Sequence, residues 1–186
     1  ALPISITLIG YVSSSYAKRP LADVKADVAT WLKLYPDIQG IFVDEQAKIV
    51  RCDILTAFLA KDFLAKNAKA AGVVETASGL QYKIVEAGKS DAPSPSATDT
   101  VTVQYRGHLL DGTVFDSSYD RGQPATFPVG GVIKGWQEAL QLMKPGAKWQ
   151  LFVAPELAYG DSGQGKIQPG SLLIFDVELL SVAAGK

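Results

Sequence analysis

One cysteine, one histidine and one methionine occur in 186 residues. The single thiol, Cys52, excludes a disulfide within the chain and leaves the redox compartment unread. Set among apolar helix neighbours, it reads as buried filler. The lone histidine, His108, lies outside the apolar alternation of its strand, with no second histidine or cysteine nearby. It reads as a solvated strand residue, and no metal or cofactor is expected. Charge of one sign is lacking too: 18 basic against 19 acidic side chains leave a net −1. So weak a field favours neither nucleic acid nor an anionic membrane. No apolar run approaches the ~20 residues of a spanning helix, and Ala1-Leu2-Pro3 lacks the charged and hydrophobic regions of a signal peptide. The glycines of the last loop are not followed by the Gly-Lys-Ser/Thr of a phosphate loop, and no activated nucleophile is evident.

What is present is 47% hydrophobic content, enough for one or two domains with a proper core. Residues 4–12 alternate and are rich in β-branched side chains, which predicts a strand. Leu21, Val24, Val28, Trp31 and Leu32 have helical spacing, and Tyr35-Pro36-Asp37 stops that helix. Residues 38–43 predict a second strand, so the opening reads as a βαβ-like segment over residues 1–45. Asp44 and Glu45 at its end read as a capped strand terminus. A connecting helix is expected over residues 46–71. Ile49, Val50, Ile54, Leu55, Phe58, Leu59, Phe63 and Leu64 form a wide apolar stripe on it, and Gly72 closes it. The stripe needs a cover, either within the chain or from a second copy.

From Ser78 onward the pattern changes to strands and turns. Strands are expected over residues 80–86, 101–110, 113–115, 148–154 and 172–182. Asp111-Gly112 is the strongest hairpin signal. Residues 116–126 read as a polar loop and residues 155–170 as a long glycine-rich one. Ile133, Trp136, Leu140 and Met143 mark one short helix closed by Pro145-Gly146. Antiparallel strands around one short helix make an α+β half-barrel. Tyr105, Phe115, Asp116, Val132, Ile133, Trp136 and Tyr159 sit on at least three expected elements. Brought together, they would make an apolar dish with a few polar tips.

Two resemblances follow from these strings. GYVSSSYAKRPLADVKADVATWL and YPDIQGIFVDE resemble the opening of the spherulation-specific (spherulin-like) family, over about the first quarter of the chain. Those proteins resemble longer barrel-type α/β domains, which about 45 residues cannot close. DGTVFDSSYDRGQPATFPVGGVIKGWQEALQLMKPGAKWQLFVAPELAYG and LLIFDVELLSV resemble the FKBP-type peptidyl-prolyl cis–trans isomerases. With FLAKNAKAAGVVETASGLQYKIVEAG ahead of them, the likeness is to the bacterial macrophage-infectivity-potentiator (Mip) group, over about residues 60–186.

That resemblance implies a bent antiparallel sheet wrapped around the short helix, in an isomerase domain over residues 72–186. It implies Trp136 as the pocket floor and Phe115, Phe127, Val132, Ile133 and Phe175 as substrate-binding walls, with Arg121 near the single acid, Asp116. Asp116, Tyr159 and Tyr105 are the expected catalytic residues. Tyr159 would donate to the substrate carbonyl, the Ile133 N–H would hold the next one, and Asp116 would accept from Tyr105 or steer the twisted carbonyl. Proline-containing polypeptides are the implied substrates, macrolides the implied inhibitors, and the periplasm, outer surface or exterior the implied compartment. Homodimerisation through the N-terminal segment and helix is a further expectation. The rivals are a non-catalytic chaperone or peptide-binding module using the same pocket, and a hydrolase built on the N-terminal segment, which would need many more βα units. Two departures bear on substrate preference. The loop over residues 160–168 is one residue shorter than the commonest form and reads Ile167-Gln168-Pro169 for the usual Ile-Pro-Pro, and Ala125 replaces a bulky aromatic.

Overall fold

In the computed structural model, the backbone is described for residues 9–12, 40–43 and 48–185 and the side chains for residues 56–185. Near the start, β1 (Ile9–Val12) and β2 (Gly40–Val43) pair in parallel, Ile9 opposite Gly40 and Val12 opposite Val43. A parallel pair demands a crossover. The helix expected over residues 21–34 lies outside the described residues, as do residues 4–8, Asp44, Glu45 and the Cys52 side chain.

Helix α1 (Lys48–Asn67) follows. Part of its apolar stripe is covered within the chain: Ala60, Phe63 and Leu64 pack on Phe152, Leu172 and Ile174. Its end is tied down by Gln81, which is almost fully buried. The Gln81 amide donates to the Leu64 carbonyl at 2.9 Å, beside the Ala68 N–H that the same carbonyl accepts at 3.0 Å, and its oxygen accepts from Asn67 at 2.9 Å. A buried glutamine without those partners would be costly.

The remaining strands form one seven-stranded sheet in the order β3 (Val73–Glu75), β4 (Gln81–Ala87), β8 (Ala147–Val153), β9 (Leu173–Ala183), β5 (Thr100–His108), β6 (Val114–Ser117), with β7 (Ala125–Pro128) also on β5. Every pairing in it is antiparallel. The expected Asp111-Gly112 turn joins β5 to β6, with Gly112 at φ 84°, a conformation open to glycine at no steric cost. Along β5, Val101, Val103 and Tyr105 turn inward. Helix α2 (Lys134–Leu142) lies across that face and buries Trp136, Ala139 and Leu140. Gly135 makes the close seating practicable, since a Cβ there would stand 2.5 Å from Val153 Cγ1.

Two strands differ from the sequence expectation. β3 has only three residues, too few for alternation to register. β7 begins in the last two residues of the stretch expected to be a polar loop, 116–126, and runs two residues beyond it. It is recruited by its partners, Val101 opposite Phe127 and Val103 opposite Ala125, and long-range pairing leaves little local signature.

Candidate active site

The far edge of β5 is divided. β6 pairs with residues 106–108 and β7 with residues 100–103. Ser118 fills the gap between them: its N–H donates to the Tyr105 carbonyl at 2.9 Å, and its hydroxyl accepts from the Tyr105 N–H at 2.8 Å. A fully buried serine thereby replaces a strand partner and fixes where the Tyr105 side chain emerges.

The Tyr105 ring meets the Trp136 indole edge-on, with centroids 5.2 Å apart at 88°. Phe127 and Phe175 meet the same indole at 6.1 and 5.2 Å, also near perpendicular. Phe115 stands edge-on to Phe175 at 5.5 Å. Such edge-to-face contacts suit the aromatic quadrupole and stand the walls up around the indole. The hollow above it measures about 730 Å³, within the usual size of a ligand site. Its lining includes Tyr105, Phe115, Asp116, Phe127, Val132, Ile133, Trp136, Tyr159 and Phe175. Of the ten candidate residues only Arg121 lies outside that lining, and it reaches the rim through hydrogen bonds.

The rim chemistry is concentrated in a triangle. The Tyr105 hydroxyl donates to Asp116 Oδ2, Arg121 Nη1 donates to Asp116 Oδ1, and Arg121 Nη2 donates to the Tyr105 oxygen at 2.8 Å. Partial burial pushes the Asp116 carboxyl up. The Tyr105 and Arg121 hydrogen bonds and the guanidinium charge outweigh it and hold the pKa below the ordinary value. Burial raises the Tyr105 phenol, and the Asp116 carboxylate adds to the rise. At neutral pH the triangle is therefore an ionised acid, an ionised guanidinium and a neutral phenol. Its acid is already engaged and poorly placed for use as a general base.

The two donors expected to meet the substrate remain uncommitted among the described residues. No hydrogen bond within the described residues engages the Tyr159 hydroxyl, and none accepts from the Ile133 N–H at the N-cap of α2. Tyr159 is held by the turn around it: the N–H groups of Ala158 and Gly160 both donate to the Pro155 carbonyl, at 3.0 and 2.8 Å. Among the described residues no group of three or more His, Cys, Asp and Glu side chains is placed to hold a metal ion. His108 is half-buried with Nδ1 3.0 Å from the Leu109 carbonyl oxygen.

Sequence reasoning tied the loop over residues 160–168 to substrate preference but named none of its residues as the opposite wall. Gln164, Gly165, Lys166 and Ile167 also line the hollow. They form a tight turn in which Gln164 and Ile167 exchange two backbone hydrogen bonds of 2.8 Å. The available signal was Ile167, an apolar residue alone in a polar, glycine-rich loop, and it is 8% exposed. Gly107 was missed too. A Cβ there would come within 2.6 Å of Phe115 and 2.8 Å of Phe175, so glycine lets both rings lie against the strand. A glycine inside a strand is the signal for such an approach.

Comparison with known proteins gives two family matches. The model described as FKBP-type peptidyl-prolyl cis-trans isomerase matches residues 92–180, and that of spherulation-specific family 4 matches residues 4–102. The second match runs well past the first quarter on which that resemblance rests. The peptidyl-prolyl cis-trans isomerase Mip of Coxiella burnetii is 58% identical over 121 residues, 64% of this chain and 52% of that protein. The FKBP-type 22 kDa peptidyl-prolyl cis-trans isomerase of Escherichia coli K12 is 50% identical over 143 residues, 75% of this chain and 68% of that protein. Most of the curated relatives it matches are about twice as long as the aligned stretch, so the chain spans about half their length. Among solved structures, FkpA from Escherichia coli superposes with a TM-score of 0.72 at 38% identity, covering 93% of this chain and 79% of that one.

Proposed function

We propose, because this chain belongs to the FKBP-type peptidyl-prolyl cis–trans isomerase family and, through residues 4–102, to spherulation-specific family 4, that its pocket accelerates rotation about X–Pro bonds in polypeptides. Rotation passes through a twisted state without amide resonance, over a barrier of ~18–20 kcal/mol. The planar amide is the more dipolar form, so water stabilises it more than the twisted one. An apolar hollow floored by Trp136 removes that water from the carbonyl and the proline ring. Each ~1.4 kcal/mol of barrier removed gives tenfold in rate. Phe115, Phe127, Val132 and Phe175 enclose the ring. Tyr159 donates to the substrate carbonyl without needing a charge, and the Ile133 N–H holds the next one. Asp116 keeps Tyr105 in place while Arg121 neutralises it. No bond to the substrate forms or breaks.

The single observation that carries this reading is the perpendicular setting of Tyr105, Phe127 and Phe175 around the Trp136 indole, beside two donors that have no partner among the described residues. The isomerase domain is taken as residues 72–186, residues 46–71 as the connecting segment that carries α1 and residues 1–45 as a separate segment. Macrolides, as apolar mimics of a twisted prolyl amide, are the expected inhibitors. A compartment outside the cytoplasm and dimerisation through the N-terminal segment and helix complete the proposal. They are checked by cell fractionation and by light-scattering mass.

Proline-limited refolding of a test protein measures the activity. The parent chain is expected to speed it, and Asp116→Leu combined with Tyr159→Ala to remove most of the gain. Equal acceleration by parent and double variant overturns the site assignment. A parent that binds proline-containing peptides with no rate gain in a steady-state isomerisation assay makes the pocket a peptide-holding module instead.

A further inference from the structure

The Ile133 N–H can serve the substrate only if the peptide that carries it is held at a fixed angle, and the local chain does not hold it. Val132 is preceded by Gly130 and Gly131 at the end of a short 3-10 turn, Val129–Gly131. Glycine has the largest conformational freedom of any residue. Val132 and Ile133 themselves are extended, at φ −98° and −59°, and no strand among the described residues pairs with them. The orientation of the Val132–Ile133 peptide must therefore come from outside the segment.

Gln137, one turn into α2, is the residue that reaches it. Its Nε2 donates to the Val132 carbonyl at 2.7 Å and to the Gly130 carbonyl at 3.3 Å. Its own N–H donates to the Ile133 carbonyl at 3.0 Å. One residue thus holds the peptide groups on both sides of Ile133. We infer that Gln137 is a positioning residue of the pocket: its side-chain amide pins the Val132 carbonyl and so aims the Ile133 N–H at the substrate. The Val132 carbonyl and the Ile133 N–H belong to one planar trans peptide and point in opposite directions. Fixing the carbonyl against α2 fixes the N–H away from it. A hydrogen bond accepted at that carbonyl also polarises the N–H of the same amide and strengthens it as a donor. The inference deepens the isomerase reading and rests on it.

Gln137→Glu keeps the shape and replaces the donor with an acceptor that repels both carbonyls. Gln137→Leu removes the donor and leaves the Val132 carbonyl without it. An anchor made to a carbonyl beyond the rotating bond is the same in ground and transition states, so its loss raises KM and spares kcat. With a proline tetrapeptide as substrate, each variant is expected to raise KM about three- to tenfold, the worth of one ordinary hydrogen bond. The value of kcat should stay within about twofold by the same reasoning. The amide proton of Ile133 in the unliganded protein, followed by NMR, is expected to shift upfield in both variants. An unchanged KM and an unmoved Ile133 amide in an active parent overturn the role of Gln137 and leave the isomerase reading intact. A fall in kcat with unchanged KM also overturns it, because general loosening would then be the cause. If Gln137→Leu does not fold, Gln137→Glu carries both readouts. A parent without activity overturns the isomerase reading itself, and the Ile133 resonance still decides whether Gln137 sets the peptide.

Discussion

Trp136 and Trp149 share one core, are 4% and 5% exposed, and each leaves its indole N–H buried with no acceptor among the described residues. Their neighbours differ. Trp149, on β8, lies flat against Tyr82 of β4, with ring centroids 4.3 Å apart and planes 11° from parallel. The stack consumes the face of the indole and cements two strands, a diagonal cross-strand pair. Trp136, on α2, is met edge-on by three rings, and the hollow opens above it. The same side chain is a filler in one place and a floor in the other. The angle of the surrounding rings makes the difference, since edges raise walls where a stacked face closes the space.

The largest effects should come from removing each indole in turn. Trp149→Ala is expected to cost ~3–5 kcal/mol of stability, the usual range for truncating a buried aromatic. It should leave the proposed isomerase activity per folded molecule nearly unchanged. Trp136→Ala should fall at or below the low end of that range, because part of its surroundings is already open space, and it should abolish most of the activity. Urea midpoints at constant slope give the first quantity, and an isomerisation assay well below each midpoint gives the second. If both variants lost activity equally while folded, the distinction between filler and floor would collapse.

That distinction is only partly legible in sequence, and the reason is physical. Asp111-Gly112, Pro145-Gly146 and the spacing of Trp136, Leu140 and Met143 are local chemistry, and the turn and helix fall where those residues put them. Trp136 and Trp149 themselves are indistinguishable locally. What separates them is Tyr82 in one case and Tyr105, Phe127 and Phe175 in the other, on strands distant in the chain. The ten candidate residues were gathered through family strings rather than any one periodicity, and nine of them line one hollow. Arg121 reaches it from outside. Which residues of the 160–168 loop form the wall stayed hidden because its turn closes on itself, and β7 because its partner, β5, lies more than twenty residues upstream.

A smaller effect comes from adding an atom to the open side. Gly107→Ala puts a Cβ against Phe115 and Phe175, which must move into the hollow or tilt away from the strand. Overpacking of this kind costs roughly 1–3 kcal/mol. Here much of the strain can be relieved by the free space above Trp136, so the low end is expected in stability and the larger change in substrate KM. An equivalent insertion beside Trp149 would have no such outlet. A full stability penalty with unchanged KM would mean that these two rings are as rigidly packed as the Tyr82 stack, and that the hollow does not yield.

The smallest expected effect is that of pH, and it belongs to the rim above Trp136. Asp116 has its folded pKa lowered, so its contribution to stability is present above the unfolded carboxyl value, about 4, and is lost as pH falls through the folded one. Tyr105 has its folded pKa raised. Its contribution is intact below the unfolded phenol value, about 10, and is lost as pH rises through the folded one. Between those limits neither group changes its charge, and the triangle with Arg121 persists. Both charged partners are substantially exposed, Asp116 at 43% and Arg121 at 42%, so solvent screens the pair and even the acid-side loss should be slight. Urea midpoints between about pH 3 and pH 9 should therefore show a shallow acid-side decline in the parent, diminished in Asp116→Asn, and a plateau through neutrality. A bend in the isomerisation rate inside that plateau that Asp116→Asn abolished would mean that the carboxylate exchanges a proton during turnover. The rim would then do acid–base chemistry, and the pocket over Trp136 would differ from the core around Trp149 in more than the tilt of its rings.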